Sequence, residues 1–108
     1  MKALMYHYVR NYNNDFPFSK YKDLNSFTVE ISKIQKSYSF LNLTEATNLD
    51  NYNDKVVILT FDDGLKDHLH AAEILKGKGI NATFYISINP FLKKKLLHVH
   101  KAHLITSK

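Results

Sequence analysis

The stretch VVILTFDDGLKD, residues 56–67, places two adjacent aspartates and a glycine directly after an unbroken apolar and β-branched run. Such a run, here residues 56–61, is typical of a strand that is buried on both faces of a parallel sheet. Two neighbouring carboxylates repel each other when both are ionised, and aspartate is unfavourable inside a strand. A turn would need only one aspartate and Gly64, so the second carboxylate indicates more than a turn.

Strand-like and helix-like patterns alternate on both sides of this stretch. We predict strands at 3–9, 40–46, 56–61 and 81–88, polar loops at 11–25 and 48–54, and helices beginning at Ser26, Asp67 and Pro90, the last running to residue 108. Asn25 or Ser26 is the expected cap of the first helix. This alternation predicts parallel strands joined by helical crossovers, and therefore an α/β fold.

The chain is short for this class of fold. A closed (β/α) barrel usually needs about 250 residues, whereas this chain has 108. The last predicted helix carries an apolar stripe that includes Leu92, Leu96 and Val99, and no later element follows to cover it. We therefore expect part of a larger α/β domain, truncated at its C-terminus, that self-associates through this exposed stripe.

Composition excludes several classes of protein. The hydrophobic fraction of 44% and the aromatic fraction of 13% indicate a folded chain. The absence of cysteine excludes disulfides and thiolate metal sites. The formal charge of +5 would suit an anionic partner, but the run Lys93–Lys95 is expected to form a solvated helix face. No segment has the length of a signal-peptide core or of a membrane span, so we expect a cytoplasmic protein.

Asp62 and Asp63 follow the best strand, and parallel α/β folds place their chemistry at the carboxyl ends of strands. Gly64 lets the backbone turn there. A hairpin is excluded because a helix, not a strand, follows. Helix capping by one of the two aspartates remains an alternative, although Asp67 is nearer to the helix. A phosphate-transferring aspartate would be expected at position 61, where Phe61 stands instead.

The sequence TFDDG, Thr60–Gly64, following an apolar strand, resembles the first motif of the polysaccharide deacetylase family. Residues 4–7, LMYH, resemble the first strand of several members, and residues 71–87 resemble the helix and third strand of that family. The resemblance covers nearly all of this chain but only about the first half of a family domain. It implies a partial, irregular (β/α) barrel in which residues 1–108 are the N-terminal part of a single domain.

The resemblance also implies a metal-dependent hydrolase that removes acetyl groups from an N-acetylated carbohydrate. Asp63 would bind a divalent metal, typically zinc, together with two histidines. Asp62 would be the general base that takes a proton from the attacking water. A nearby cation explains how both carboxylates stay ionised at neutral pH.

The histidines depart from the family pattern, in which two histidines are four residues apart. The cluster here holds His98, His100 and His103, and no two of them have that spacing. On a helix, His100 and His103 lie about 60° apart, on one face, as metal ligands at i and i+3 can. They are the predicted ligands. The alternative is that His103, which falls within the apolar stripe, is a core histidine, while His98 lies at the surface.

His7 ends the first predicted strand, so in a barrel it would open onto the same edge as the two aspartates. We predict that His7 and Gly64 line the site, and His7 is a further candidate for a metal ligand.

Three functions from different classes follow from these patterns. The first is a carbohydrate N-deacetylase, of which this chain would be an incomplete and, on its own, inactive part. The second is a non-catalytic protein of the same fold that binds glycans, which the unusual histidine spacing favours. The third is a small basic nucleic-acid-binding domain, but the sequence contains no recognisable nucleic-acid-binding module. We therefore expect an N-acetylated carbohydrate as partner and no nucleic acid.

Overall fold

A parallel four-stranded sheet lies at the centre of the computed structural model, which describes residues 1–48 and 54–108. The elements in chain order are β1 (Lys2–Tyr6), α1 (Leu24–Gln35), β2 (Ser39–Leu41), α2 (Leu43–Thr47), β3 (Val56–Phe61), α3 (His68–Gly77), β4 (Thr83–Phe84), α4 (Ile88–Lys93) and α5 (His98–Thr106). Most of the polar loop predicted at 48–54 lies outside the described residues. The predicted α/β fold is confirmed.

Strand β3 is the central strand, as its apolar sequence predicts. It pairs in parallel with β1 through residues 57–61, with β2 through residues 56–58 and with β4 through residues 60–61. Tyr6 stands opposite Phe61, and Phe61 stands opposite Phe84. The carboxyl ends of three strands therefore meet at one level. The sheet formed by the described residues is open rather than closed into a barrel.

The hydrophobic core forms around β3. The side chains of Phe61 and Leu59 are completely buried, together with Phe27 and Ile31 of α1. The Phe61 ring contacts the rings of Phe27 and Tyr6, with centroids 6.1 Å and 5.5 Å away. Full burial of such a side chain contributes about 1.5–3 kcal/mol, so this cluster holds α1 against the sheet and fixes where β3 ends.

Helix α1 has a different cap from the predicted one, and α2 occupies residues that were predicted as a strand. Asp23, rather than Asn25 or Ser26, is the N-cap of α1, because its carboxylate accepts hydrogen bonds from the backbone N–H groups of those two residues. The strand predicted at 40–46 ends at Leu41. Asn42 and Glu45 form a reciprocal capping box that starts α2, and this local signal outweighs the short apolar pattern.

The single helix predicted from Pro90 to residue 108 is wrong. The helix breaks after Lys93, where Lys94 adopts a left-handed conformation with φ 51°, and α5 begins only at His98. The Lys93–Lys95 run therefore does not form a helix face. Leu92 and Val99 are 69% and 50% exposed. None of the helices in the described ranges combines the length and apolar character that crossing a bilayer requires.

Candidate active site at the carboxyl edge of the sheet

The two aspartates leave β3 through an unusual turn. The Asp62 N–H donates to the carbonyl of Tyr6 at 3.2 Å and so extends the pairing of β1 with β3 by one residue. Asp63 and Gly64 then both adopt positive φ, 78° and 61°. Aspartate tolerates this region better than most residues with a side chain. A Cβ atom at position 64 would lie 3.1 Å from Cγ2 of Ile86, so the turn requires glycine there.

This turn presents the Asp63 carboxylate to two imidazoles. Its Oδ2 atom lies 3.1 Å from Nε2 of His100 and 3.4 Å from Nδ1 of His7. His7 follows the last residue of β1, and His100 is carried by α5 and is 6% exposed. The structure therefore brings together three of the predicted site residues, from three separate segments.

His103 is placed elsewhere. Its Nδ1 atom lies 2.9 Å from the hydroxyl oxygen of Tyr8, and its side chain is exposed. The alternative that His103 is a core histidine is therefore wrong, since His100 is the buried one. The break at Lys94 separates α5 from α4, so the helical phase of Leu92 does not continue to His103. His98 is exposed, as expected.

Asp62 stands next to the group formed by Asp63, His7 and His100 but takes no part in it. The residue is half-buried. Within the described ranges, its carboxylate has no hydrogen bond or ion pair. A carboxylate with no partner remains available to accept a proton or to bind a cation.

A cavity of about 940 Å³ adjoins Asp63. Its lining includes His7, Tyr8 and His103, and the loop residues Phe18, Lys20 and Tyr21. Pockets of roughly 300–1,000 Å³ are typical for small ligands, and they usually combine aromatic walls with a few polar groups. The cavity has the size and the lining of a ligand site.

Comparison with solved structures identifies the architecture. The chain is similar to the deacetylase PplD of Streptococcus pyogenes, solved in complex with acetate, with a TM-score of 0.74 and 23% identity over 99% of this chain and 52% of that chain. The present chain has the fold of polysaccharide deacetylases. A Bacillus anthracis protein described as a polysaccharide deacetylase gives a TM-score of 0.65 and 24% identity over 82% of this chain and 29% of that one.

A polysaccharide deacetylase of Bacillus cereus gives a TM-score of 0.64 and 23% identity over 78% of this chain and 28% of that one. The chain thus spans between about a quarter and about half of the length of these three deacetylases. Comparisons with family profiles and with curated protein sequences find no match. The resemblance carried by the TFDDG motif is confirmed at the level of the fold.

Sequence reasoning missed an ion pair beside this edge of the deacetylase fold. Nε of Arg10 lies 2.5 Å from Oδ2 of Asp67, and the Arg10 guanidinium carbon lies 4.4 Å from the centroid of the Tyr8 ring. Asp67 makes no capping hydrogen bond to α3. Burial raises the pKa of the Tyr8 hydroxyl. The one available signal was that Arg10 is the only arginine in the sequence.

His68 was also missed. It is buried, and its ring packs edge-on against Phe61 with the centroids 5.2 Å apart. Its Nε2 atom lies 2.8 Å from the carbonyl oxygen of His7. A carbonyl can only accept, so Nε2 carries the proton, while the buried Nδ1 atom has no partner among the described residues. His68 therefore fixes the main chain at His7.

The donor types at this edge of the deacetylase fold fit a metal such as zinc. One carboxylate and two imidazoles are a ligand set that catalytic zinc sites use, with metal–ligand bonds of about 2.0–2.2 Å. Neighbouring donors on a tetrahedral ion are then about 3.3 Å apart. The 3.4 Å and 3.1 Å distances from Asp63 to His7 and His100 are similar. In their present positions, however, no three acidic or histidine side chains in the described ranges form a group that could hold a metal ion.

Proposed function

We propose that the chain carries the N-terminal part of a metal-dependent carbohydrate N-deacetylase, and that residues 1–108 belong to one domain. The observation that supports this most is the convergence of His7 and His100 on one carboxylate oxygen of Asp63. It occurs beside a second carboxylate, Asp62, which has no partner among the residues that the structure describes, at the carboxyl edge of the sheet in a chain with the fold of polysaccharide deacetylases.

In this proposal Asp63 and His100 are two ligands of a divalent metal, most suitably zinc. His7 is the third ligand because it already contacts Asp63. The ligand predicted from the sequence, His103, is the alternative, because its Nε2 atom has no hydrogen bond to any described residue while Nδ1 contacts Tyr8. A divalent cation bound there would supply Lewis-acid chemistry, which makes water acidic and stabilises developing negative charge.

Asp62 is the proposed general base. Its carboxylate has no partner within the described ranges, and it is adjacent in sequence to the proposed ligand Asp63. Asp62 would take the proton of the water that attacks the acetamide carbonyl. The carbon–nitrogen bond then breaks as the nitrogen takes up this proton, acetate leaves, and the amine stays on the sugar.

The proposed substrate is an N-acetylated carbohydrate bound in the cavity beside Asp63. The aromatic side chains of Phe18 and Tyr21 in its lining offer apolar surfaces, and a few polar groups beside them would set the orientation of a ligand. PplD, which is similar over 99% of this chain, was solved with acetate. We expect no turnover by the 108 residues alone, because the similar deacetylases are about two to three times as long.

The competing proposal is a non-catalytic, glycan-binding protein of the same fold. Two observations favour it: His103 contacts Tyr8 rather than Asp63, and no three suitable side chains in the described ranges are grouped as a metal site.

Metal content measured by mass spectrometry after dialysis against zinc separates the two proposals. We expect about one zinc per wild-type chain, and loss of zinc in Asp63→Asn and His100→Ala. The exposed His98→Ala is the matched control and should keep the metal. His7→Ala and His103→Ala then identify the third ligand. A wild-type chain that retains no zinc, or retains it equally in every variant, contradicts the metal-dependent proposal.

A further inference from the structure

Helix α5 is joined to the rest of the chain by polar contacts. His100 contacts Asp63, His103 contacts Tyr8, and the carbonyl of Ser107, just after the helix, accepts a hydrogen bond from the N–H of Phe18 at 2.9 Å. By contrast, Ile105 of this helix is 76% exposed. Because apolar burial contributes little to its attachment, the position of α5 depends on these polar contacts.

Tyr8 contacts two of the three imidazoles of α5, those of His100 and His103. Its hydroxyl oxygen lies 2.9 Å from Nδ1 of His103. Its ring packs edge-on against the rings of His100 and His103, with centroid distances of 5.7 Å and 5.6 Å. One rigid side chain with two rotatable bonds therefore limits the orientation of both histidines.

Arg10 and Asp67 in turn hold Tyr8. The guanidinium of Arg10 lies over the face of the Tyr8 ring, a favourable position for a cation. Its Nε atom is fixed by Asp67, whose side chain is only 15% exposed. Asp67 lies four residues after Asp63, at the end of the same turn. The contacts therefore form a closed circuit. From Asp63 it passes through His100 and Tyr8 to Arg10. It then continues to Asp67 and returns to Asp63 along the main chain.

We propose that Tyr8 is a positioning residue that sets the imidazoles of His100 and His103 relative to Asp63, and that the Arg10–Asp67 ion pair holds Tyr8 in place. This orientation stands without any metal. Only its consequence for metal affinity rests on the proposed function.

The first test measures the histidine rings directly. With ¹⁵N-labelled histidine, the six histidines of the chain give separate ring signals that report the protonated nitrogen of each ring. Tyr8→Phe keeps the ring and removes the hydroxyl, so it should change the His103 signals and leave those of His70 and His98 unchanged. Arg10→Gln should change both His100 and His103. Tyr12→Phe, at an exposed tyrosine outside the circuit, should change none.

Two results would overturn the proposal. One is that His100 and His103 keep their wild-type signals in Tyr8→Phe and in Arg10→Gln. The other is that all six histidines change together with the backbone amides in Tyr8→Phe, which would make Tyr8 a general structural residue. If Arg10→Gln fails to fold, Arg10→Lys, which keeps the positive charge but not the planar guanidinium, takes its place, and its His100 and His103 signals should still differ from those of the wild type.

The second test measures zinc affinity by competition with a chelating dye. Removing a group that orients metal ligands typically weakens metal binding about 10–100-fold. We expect about a tenfold loss in Tyr8→Phe and in Arg10→Gln, and wild-type affinity in Tyr12→Phe. Equal affinity in all four proteins would overturn the positioning role. If the wild type binds no zinc while the ring signals change as expected, the proposed function fails and the positioning role of Tyr8 stands.

Discussion

Nε2 of His100 lies 3.1 Å from Oδ2 of Asp63, although 37 residues separate them in the chain. The contact joins the turn after β3 to helix α5, and His100 is one of the few buried polar side chains in the described ranges. It is the contact on which both the proposed metal site and the proposed role of Tyr8 depend.

The two adjacent aspartates should have separable roles. Asp63→Asn should weaken zinc binding in this chain, because an amide oxygen is a poorer ligand for a divalent cation than a carboxylate. Asp62→Asn should leave zinc affinity unchanged. In a protein that contains the complete domain, Asp62→Asn should still lower the rate of acetate release by about 10²–10⁴, the usual effect of losing a general base.

The assay measures bound zinc and acetate released from an N-acetylglucosamine oligomer. If Asp62→Asn loses the metal and Asp63→Asn keeps it, the two roles are reversed. If neither variant differs from the wild type in metal or rate, the deacetylase proposal is wrong.

Gly64 should tolerate no side chain. Gly64→Ala places a Cβ 3.1 Å from Ile86 at a φ of 61°, and a left-handed conformation costs a residue with a side chain about 1–2 kcal/mol. We expect the free energy of unfolding in urea to fall by at least that amount. Gly77→Ala is the matched control. Gly77 ends α3, and a methyl group added there would meet no atom within 4 Å, so alanine should be neutral or stabilising. Equal losses in the two variants would contradict this explanation of the turn.

The stability of the fold should depend on the ionisation of Glu30. Its carboxylate pairs with Lys22 and accepts a hydrogen bond from the Tyr6 hydroxyl at 2.9 Å. The hydrogen bond from Lys22 lowers the pKa of Glu30 in the folded state. A lowered pKa stabilises the fold above the unfolded value of about 4.3, and this contribution is lost as the pH falls through the folded value.

Both side chains of this ion pair are about a third exposed, so the contribution should stay below about 1 kcal/mol. Urea unfolding at pH 7 and pH 3 measures it. Glu30→Gln removes one titrating group and should lose less free energy than the wild type between these two pH values. A loss of the same size in both proteins would show that Glu30 is not responsible.

The exposed apolar side chains of the C-terminal segment should cause self-association. Leu92, Leu96 and Val99 are each at least half exposed. The break at Lys94 places Leu92 and Val99 on separate helices, but exposed apolar side chains still favour association. We expect sedimentation velocity to show species larger than the monomer that increase with concentration. Replacing Leu92 and Leu96 with glutamine should shift the distribution towards monomer, whereas Lys101→Gln should not. A wild-type chain that remains monomeric at all concentrations would contradict this prediction.

The sequence predicted the sheet well and the last helices poorly, for a physical reason. Residues 56–61 are apolar or β-branched throughout, which is typical of a strand buried on both faces of a parallel sheet, so the position of Asp62 at the end of that strand follows from them. The predicted orientation of His103 assumed that one continuous helix carries both Leu92 and His103. Lys94 interrupts that helix, and no glycine or proline between residues 91 and 98 signals the break. The Arg10–Asp67 pair joins residues 57 apart, which no local pattern reveals.

The pairing of β1 with β3 also determines when the site can form. Lys2 pairs with Val57 and Tyr6 with Phe61, so each pair joins residues 55 apart in the chain. Contacts between residues so distant in sequence form slowly, because the loop between them must close before the contacts stabilise it. His7 and Asp63 follow directly after the two strands and approach each other only when that pairing is complete. During synthesis, β1 therefore cannot pair with β3 until β3 has been translated. The candidate site forms only after this pairing, which requires the slowest loop closure in the sheet.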